Sequence, residues 1–167
     1  DILAAGGNAV DAAIAVGFSL AVTLPRAGNL GGGGFMLIHD AATGENTSID
    51  YREMAPVGAT HDMYLDEDGN VDRDRAMFSH LAAGVPGTVA GLYRAHQQHG
   101  SLPWKRLLEA AIAQARFGVP VSFDLAEMLK SRQVRMCKNA ATCGYFYKEG
   151  GEPYAAGELL IQSDLAD

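Results

Sequence analysis

The chain is poor in the residues that would mark a metal scaffold, a nucleic-acid binder or a membrane span. Among its 167 residues are only two cysteines and one tryptophan. Two cysteines without neighbouring histidines cannot fill a tetrahedral zinc shell. Cys137 and Cys143 stand six residues apart. They either close a small disulfide loop, which suits an oxidising compartment, or remain two free thiols at a helix end and in a loop. Basic residues are also scarce, since 13 Lys and Arg face 20 Asp and Glu for a net charge of −7. A nucleic-acid footprint is basic and clustered, so this balance argues against that class of partner. No apolar run is long enough to cross a bilayer; residues 12–24 come closest, but the stretch is short and interrupted by Gly17, Ser19 and Thr23. The acidic segment Asp66-Glu67-Asp68-Gly69-Asn70 lacks a third ligand before its glycine and the closing bidentate Glu of an EF-hand, and reads as a hydrated turn. A hydrophobic fraction of 48% beside 20% charged residues leaves an ordinary globular composition, enough for one domain or part of one.

Glycine is what the chain has in abundance, with 20 residues. The run Gly28-Asn29-Leu30-Gly31-Gly32-Gly33-Gly34-Phe35 holds four glycines in a row before the strand-like Met36-Leu37-Ile38. Each glycine weakens a fold through backbone entropy, so such a run belongs where φ turns positive or where something approaches the backbone closely. A dinucleotide fingerprint or a P-loop runs strand, glycines, helix. Here the glycines follow an Ala-rich helix and lead into a strand, and no Lys-Ser or Lys-Thr comes after them. Two readings stay open: a tight helix-to-strand turn, or a site of close approach.

Local signals place the elements. Asn8 caps a helix from Ala9 to about Val22, with Asp11 at its third position; apolar almost all round, this helix is expected to be buried, and Pro25 ends it. Residues 34–40 and 47–52 read as two strands joined by a turn at 41–46. Residues 56–74 are polar and irregular. A helix spans 87–99 with Val89, Leu92 and Tyr93 on one side, and Gly100 stops it. Ser101 is expected to cap a second, with Trp104, Leu107, Leu108, Ala111, Ile112 and Ala115 as its stripe. Ser122 caps a third, from Phe123 to about Arg135, and 145–147 and 159–162 read as short extended pieces. Asp1-Ile2-Leu3 reads as the end of a helix and Ser163 to Asp167 as the start of one, so the chain is expected to be a segment of a longer polypeptide.

Four motifs follow one another in order: Gly6-Gly7-Asn8-Ala9-Val10-Asp11-Ala12-Ala13; Ala27 with the glycine run; Asp50-Tyr51-Arg52-Glu53-Met54-Ala55-Pro56; and Gly84-Val85-Pro86-Gly87-Thr88-Val89-Ala90-Gly91. In this order and spacing they resemble the N-terminal part of the large subunit of the gamma-glutamyltranspeptidases, also called glutathione hydrolases. The resemblance is densest before Gly91 and continues more loosely to Asp167. It implies an α/β (α+β) fold, with residues 1–167 as an incomplete part of a single N-terminal-nucleophile hydrolase domain, a four-layer α/β/β/α sandwich. It implies γ-glutamyl transfer or hydrolysis, with glutathione or other γ-glutamyl compounds as donors and water, amino acids or peptides as acceptors. The nucleophile would be a Thr of a small subunit cut from the same precursor, which would pair with this chain as a heterodimer; no catalytic residue is expected here, and the chain alone would be inactive. No cofactor and no metal are implied, and the location would be periplasmic or extracellular. A cephalosporin or glutaryl acylase of the same superfamily, or a non-catalytic binding scaffold, are the competing readings.

Within this frame Arg52 is the candidate substrate-binding residue. A guanidinium grips a carboxylate bidentately, and the arginine of the matching family motif holds the α-carboxylate of the γ-glutamyl group. The competing role for Arg52 is an ion pair with Glu53 or another acid. Ser79 and His80 are adjacent but have no orienting acid. His96 and His99 lie three apart on a helix end without a carboxylate to complete a metal site. All five histidines are therefore assigned to structure or surface, with a solvated face expected for the helical pair.

Overall fold

A computed structural model describes residues 1–167. In chain order the elements are helix α1 (Ala9–Thr23), strands β1 (Phe35–His39) and β2 (Asn46–Asp50), helices α2 (Arg73–Phe78), α3 (Thr88–His99) and α4 (Trp104–Phe117), strand β3 (Val119–Pro120), helices α5 (Phe123–Met136) and α6 (Ala140–Phe146), strand β4 (Leu159–Leu160) and helix α7 (Ser163–Ala166). They gather into two units, Asp1–Asn29 with His99–Asp167, and Leu30–Gln98.

In the first unit, Gly6 takes a left-handed φ of 87° and closes a one-turn 3-10 helix over Leu3–Ala5. The expected capping box then opens α1: Asp11 N–H donates to the Asn8 side chain at 2.9 Å, and Asn8 N–H donates back to Asp11 at 3.0 Å. α1 packs on α4 through buried Ile14, Ala15, Phe18 and Leu107, with Phe18 edge-on to Trp104 at 5.4 Å. The expectation that α1 is buried all round does not hold. Ala9, Ala13, Val16 and Leu20, at helical spacing, form an exposed stripe, because α4 covers a single flank. Ser101 does not cap α4 either. Pro103 holds the N-cap position, and Ser101 turns its N–H and hydroxyl to Asp11, 90 residues away. Asp11 is fully shielded from solvent, and a buried carboxylate needs donors more than an exposed helix end needs a cap.

Ser122 caps α5 as expected, accepting from Leu125 N–H at 3.1 Å. Behind it a second core gathers Val121, Leu125, Ala126, Leu129, Tyr147 and Leu160. β3 and β4 run antiparallel with Val119 opposite Leu160, so the pairing at 159–160 bears out half of one expected extended piece. The other expected piece is mostly helical: Tyr145 and Phe146 end α6, and only Tyr147 bridges to Pro153. Cys137 and Cys143 are bridged, tying the end of α5 to α6 against this core. Gln162 is buried, donating its amide to the Val22 carbonyl at 3.2 Å and its N–H to the Ala115 carbonyl at 2.9 Å.

In the second unit β1 and β2 form an antiparallel hairpin with Met36 opposite Ile49. Asp40 closes its turn by accepting the Ala42 N–H at 2.8 Å, and Gly44 supplies the positive φ of 74°. Asp66 accepts from Asp68 and Asn70 N–H, making a turn between Leu65 and Val71. The stretch expected to be irregular throughout also starts α2, which Asp72 caps. α3 buries Gly91, Leu92 and Ala95, whereas Val89 and Tyr93 are nearly half exposed. Leu92 keeps its expected place, while Val89 and Tyr93 give way to Gly91 and Ala95, whose small size permits closer packing.

Candidate functional site

The Arg52 segment leaves β2 through a short, tightly held track. Tyr51 extends the hairpin by one rung: its N–H donates to the Gly34 carbonyl at 3.0 Å, and Gly34 N–H returns to the Tyr51 carbonyl at 3.4 Å. Arg52 itself lies two residues beyond the strand, not within it as expected, because its N–H turns to the Asp50 carboxylate at 3.0 Å. Met54 then pairs with Val85, with N–H···O distances of 3.2 and 2.8 Å. The Gly84–Gly91 motif thus runs beside the arginine motif.

Glycines from two motifs press on this track. A Cβ added to Gly33 would stand 2.5 Å from the Tyr51 carbonyl oxygen, 2.9 Å from Arg52 Cα and 2.9 Å from Glu53 N. One on Gly34 would meet the Tyr51 ring at 3.1 Å, and one on Gly84 would meet Glu53 Cβ at 3.0 Å. At Gly87 the added atom would overlap the Tyr51 carbonyl, and at Gly91 the Tyr51 side chain. Gly87 and Thr88 N–H groups both donate to the Gly32 carbonyl, at 2.9 and 3.1 Å, which joins the two glycine motifs directly. Neither Gly33 nor Gly34 has a positive φ, so the run serves close approach of main chain to main chain. Tyr51 sits between Gly34 and Gly91, and its burial pushes the phenol pKa up.

Of the two roles open to Arg52, the internal ion pair is not made. Its guanidinium is exposed and pairs with neither Glu53 nor Asp50; the ion pairs of the chain all lie elsewhere. A pinned main chain carrying a free planar fork is suited to bidentate capture of a carboxylate.

The other candidates are not brought to this track as reactive groups. Ser79 Oγ donates to the Arg75 carbonyl at 2.6 Å and accepts from Leu81 N–H, while His80 is exposed beside it. No group of three or more His, Cys, Asp or Glu side chains is arranged to hold a metal ion. His99 departs from the expected solvated face: it is largely shielded, its carbonyl accepts from the Asn8 side chain at 2.6 Å, and its buried Nε2 has no hydrogen-bond partner. The residues that sequence reasoning missed as site builders are Asp50 and Tyr51. Their signal was adjacency to Arg52 inside the same motif.

Comparison with known proteins agrees with the order of motifs. The profile of the Gamma-glutamyltranspeptidase family matches residues 1–167. The glutathione hydrolase proenzyme of Escherichia coli K12 is 49% identical over 166 residues, covering 99% of this chain and 28% of that protein. The crystal structure of Helicobacter pylori gamma-glutamyltranspeptidase superposes with a TM-score of 0.95 at 47% identity, covering 99% of this chain and 47% of that one. Cephalosporin acylase from Bacillus halodurans shares the fold at a TM-score of 0.80 but only 24% identity. The chain therefore spans 28% of the length of the E. coli proenzyme it matches.

Proposed function

The chain belongs to the gamma-glutamyltranspeptidase family, with the mixed helix–strand fold of the N-terminal-nucleophile hydrolases, and from that premise we propose that it is a segment of the large subunit of a γ-glutamyl-transferring enzyme. The whole protein would take a γ-glutamyl group from glutathione or a related donor and pass it to water, an amino acid or a peptide. A threonine of the small subunit, released by cleavage of the precursor, would attack the γ-carbonyl carbon, form the ester and expel the amine; the acceptor would then cleave the ester. This segment would contribute the grip on the donor. Arg52 would hold the α-carboxylate, fixing the γ-carbonyl relative to the nucleophile. The observation that carries the reading is an exposed, unpaired guanidinium on a main chain clamped by Gly33 and Gly87. A disulfide within the chain supports a periplasmic or extracellular location, and no helix is long and apolar enough to cross a membrane.

The test uses the full-length product on a denaturing gel and a chromogenic γ-glutamyl anilide. Two bands with amine release, and a KM raised roughly tenfold or more by Arg52→Lys through loss of the planar fork, are expected. An unchanged KM removes the carboxylate role of Arg52. Two bands without γ-glutamyl activity would favour an acylase, and one uncleaved inactive band a binding scaffold.

A further inference from the structure

We propose that Asp50 is a positioning residue for Arg52, acting through the hydrogen bond that its carboxylate accepts from Arg52 N–H. The inference rests on Arg52 being the carboxylate clamp, and adds what aims it. Three contacts surround the main chain of residue 52. Gly33 packs against its Cα, Gly87 lies beside its carbonyl, and Asp50 holds its N–H at 3.0 Å. The two glycine contacts are steric and limit how the segment slides. The Asp50 bond is directional, and it is the only one a side chain makes to this residue. It sets the turn by which the chain leaves β2, and so the direction in which Cβ and the guanidinium depart.

The placement is otherwise unfavourable for the proposed function. Asp50 puts a negative charge two residues from a group meant to attract a carboxylate. A carboxylate engaged by a backbone N–H is useful there for its acceptor oxygen, while its charge opposes the donor's α-carboxylate. Asp50 is exposed and opposite Phe35 at the first rung of the hairpin, so no core packing depends on it. Charge and hydrogen bond can therefore be separated by substitution.

The experiment measures KM and kcat for a γ-glutamyl anilide, with thermal melting, in the full-length processed protein. Asp50→Ala removes the acceptor, Asp50→Asn keeps an acceptor oxygen without the charge, and Arg52→Ala reports the clamp. Asp50→Ala is expected to raise KM about tenfold with kcat and melting little changed, because a misaim of a fraction of an ångström costs part of the roughly hundredfold that a full ångström can cost. Asp50→Asn is expected to restore KM to within about twofold of the parent, or below it. The proposal is overturned if Asp50→Ala leaves KM unchanged while Arg52→Ala raises it, or if Asp50→Asn is as impaired as Asp50→Ala. If Arg52→Ala leaves KM unchanged, the clamp itself is refuted, a result distinct from failure of Asp50.

Discussion

Replacing Asp11 by Ala should destabilise the first unit on the scale of truncating one of its fully buried leucines, although Asp11 is a carboxylate. The carboxylate has no solvent exposure and accepts from four donors: Asn8 N–H at 3.0 Å, Ser101 N–H at 3.1 Å, Ser101 Oγ at 2.7 Å and Leu102 N–H at 3.3 Å. Removing it opens half of a capping box, worth about 1 kcal/mol. It also leaves the Ser101 and Leu102 donors without their charged acceptor, at about 1.5–3 kcal/mol for a good bond of this kind. These contributions overlap, so the total is about 3–5 kcal/mol, a large share of a stability of about 5–15 kcal/mol. Urea and thermal unfolding would read it, with Ser101→Ala completing a double-mutant cycle whose coupling should fall within about 0.5–3 kcal/mol. The pH dependence is a second check. Burial by itself raises the Asp11 pKa, but the bonds from Asn8, Ser101 and Leu102 outweigh it and hold the group below its usual value of 3.8. A lowered folded pKa contributes stability that is present above the unfolded value and is lost as pH falls through the folded one. The gap between parent and Asp11→Ala should thus be constant at neutral pH and shrink only below about pH 4. A loss under about 1 kcal/mol at pH 7 would refute the account of Asp11 as the hub joining the start of α1 to the Ser101 turn.

Two further outcomes are expected. Gly87→Ala drives a Cβ into the Tyr51 carbonyl, a main-chain atom that cannot swing away, so the Arg52 track must shift; it should cost about 1–3 kcal/mol and depress γ-glutamyl turnover, and an unaffected Gly87→Ala enzyme would contradict the close approach. Reducing the Cys137–Cys143 bridge, which closes a loop with a sequence separation of six, should lower stability by about 2 kcal/mol, read by melting with and without a reductant.

Much of this architecture was legible locally. The Asn8–Asp11 capping box, the Ser122 cap, the hairpin turn around Gly44 and the Asp66 turn each depend on residues within a few positions of one another. Signals fail where a residue has a partner far along the chain. Ser101 has the chemistry of a helix cap, yet the carboxylate it serves is 90 positions away. α1 is apolar almost all round, and periodicity alone could not tell which side α4 would leave open. On α3 the expected Leu92 is buried, but Gly91 and Ala95 replace Val89 and Tyr93 beside it, because the small residues permitted an approach that hydrophobicity does not encode.

By itself the sequence determined the family, the identity of Arg52 as the candidate grip, and most helix starts, because motif order and capping are properties of the chain read in one dimension. The tertiary structure decided what the glycines are for. Their requirement comes from the Tyr51–Glu53 main chain lying where a Cβ would be, and that contact exists only once Gly33, Arg52 and Gly87 have been folded together. It also decided that Arg52 has no internal acid as a partner and that the two cysteines are joined, since both depend on distances in space that no spacing along the chain specifies.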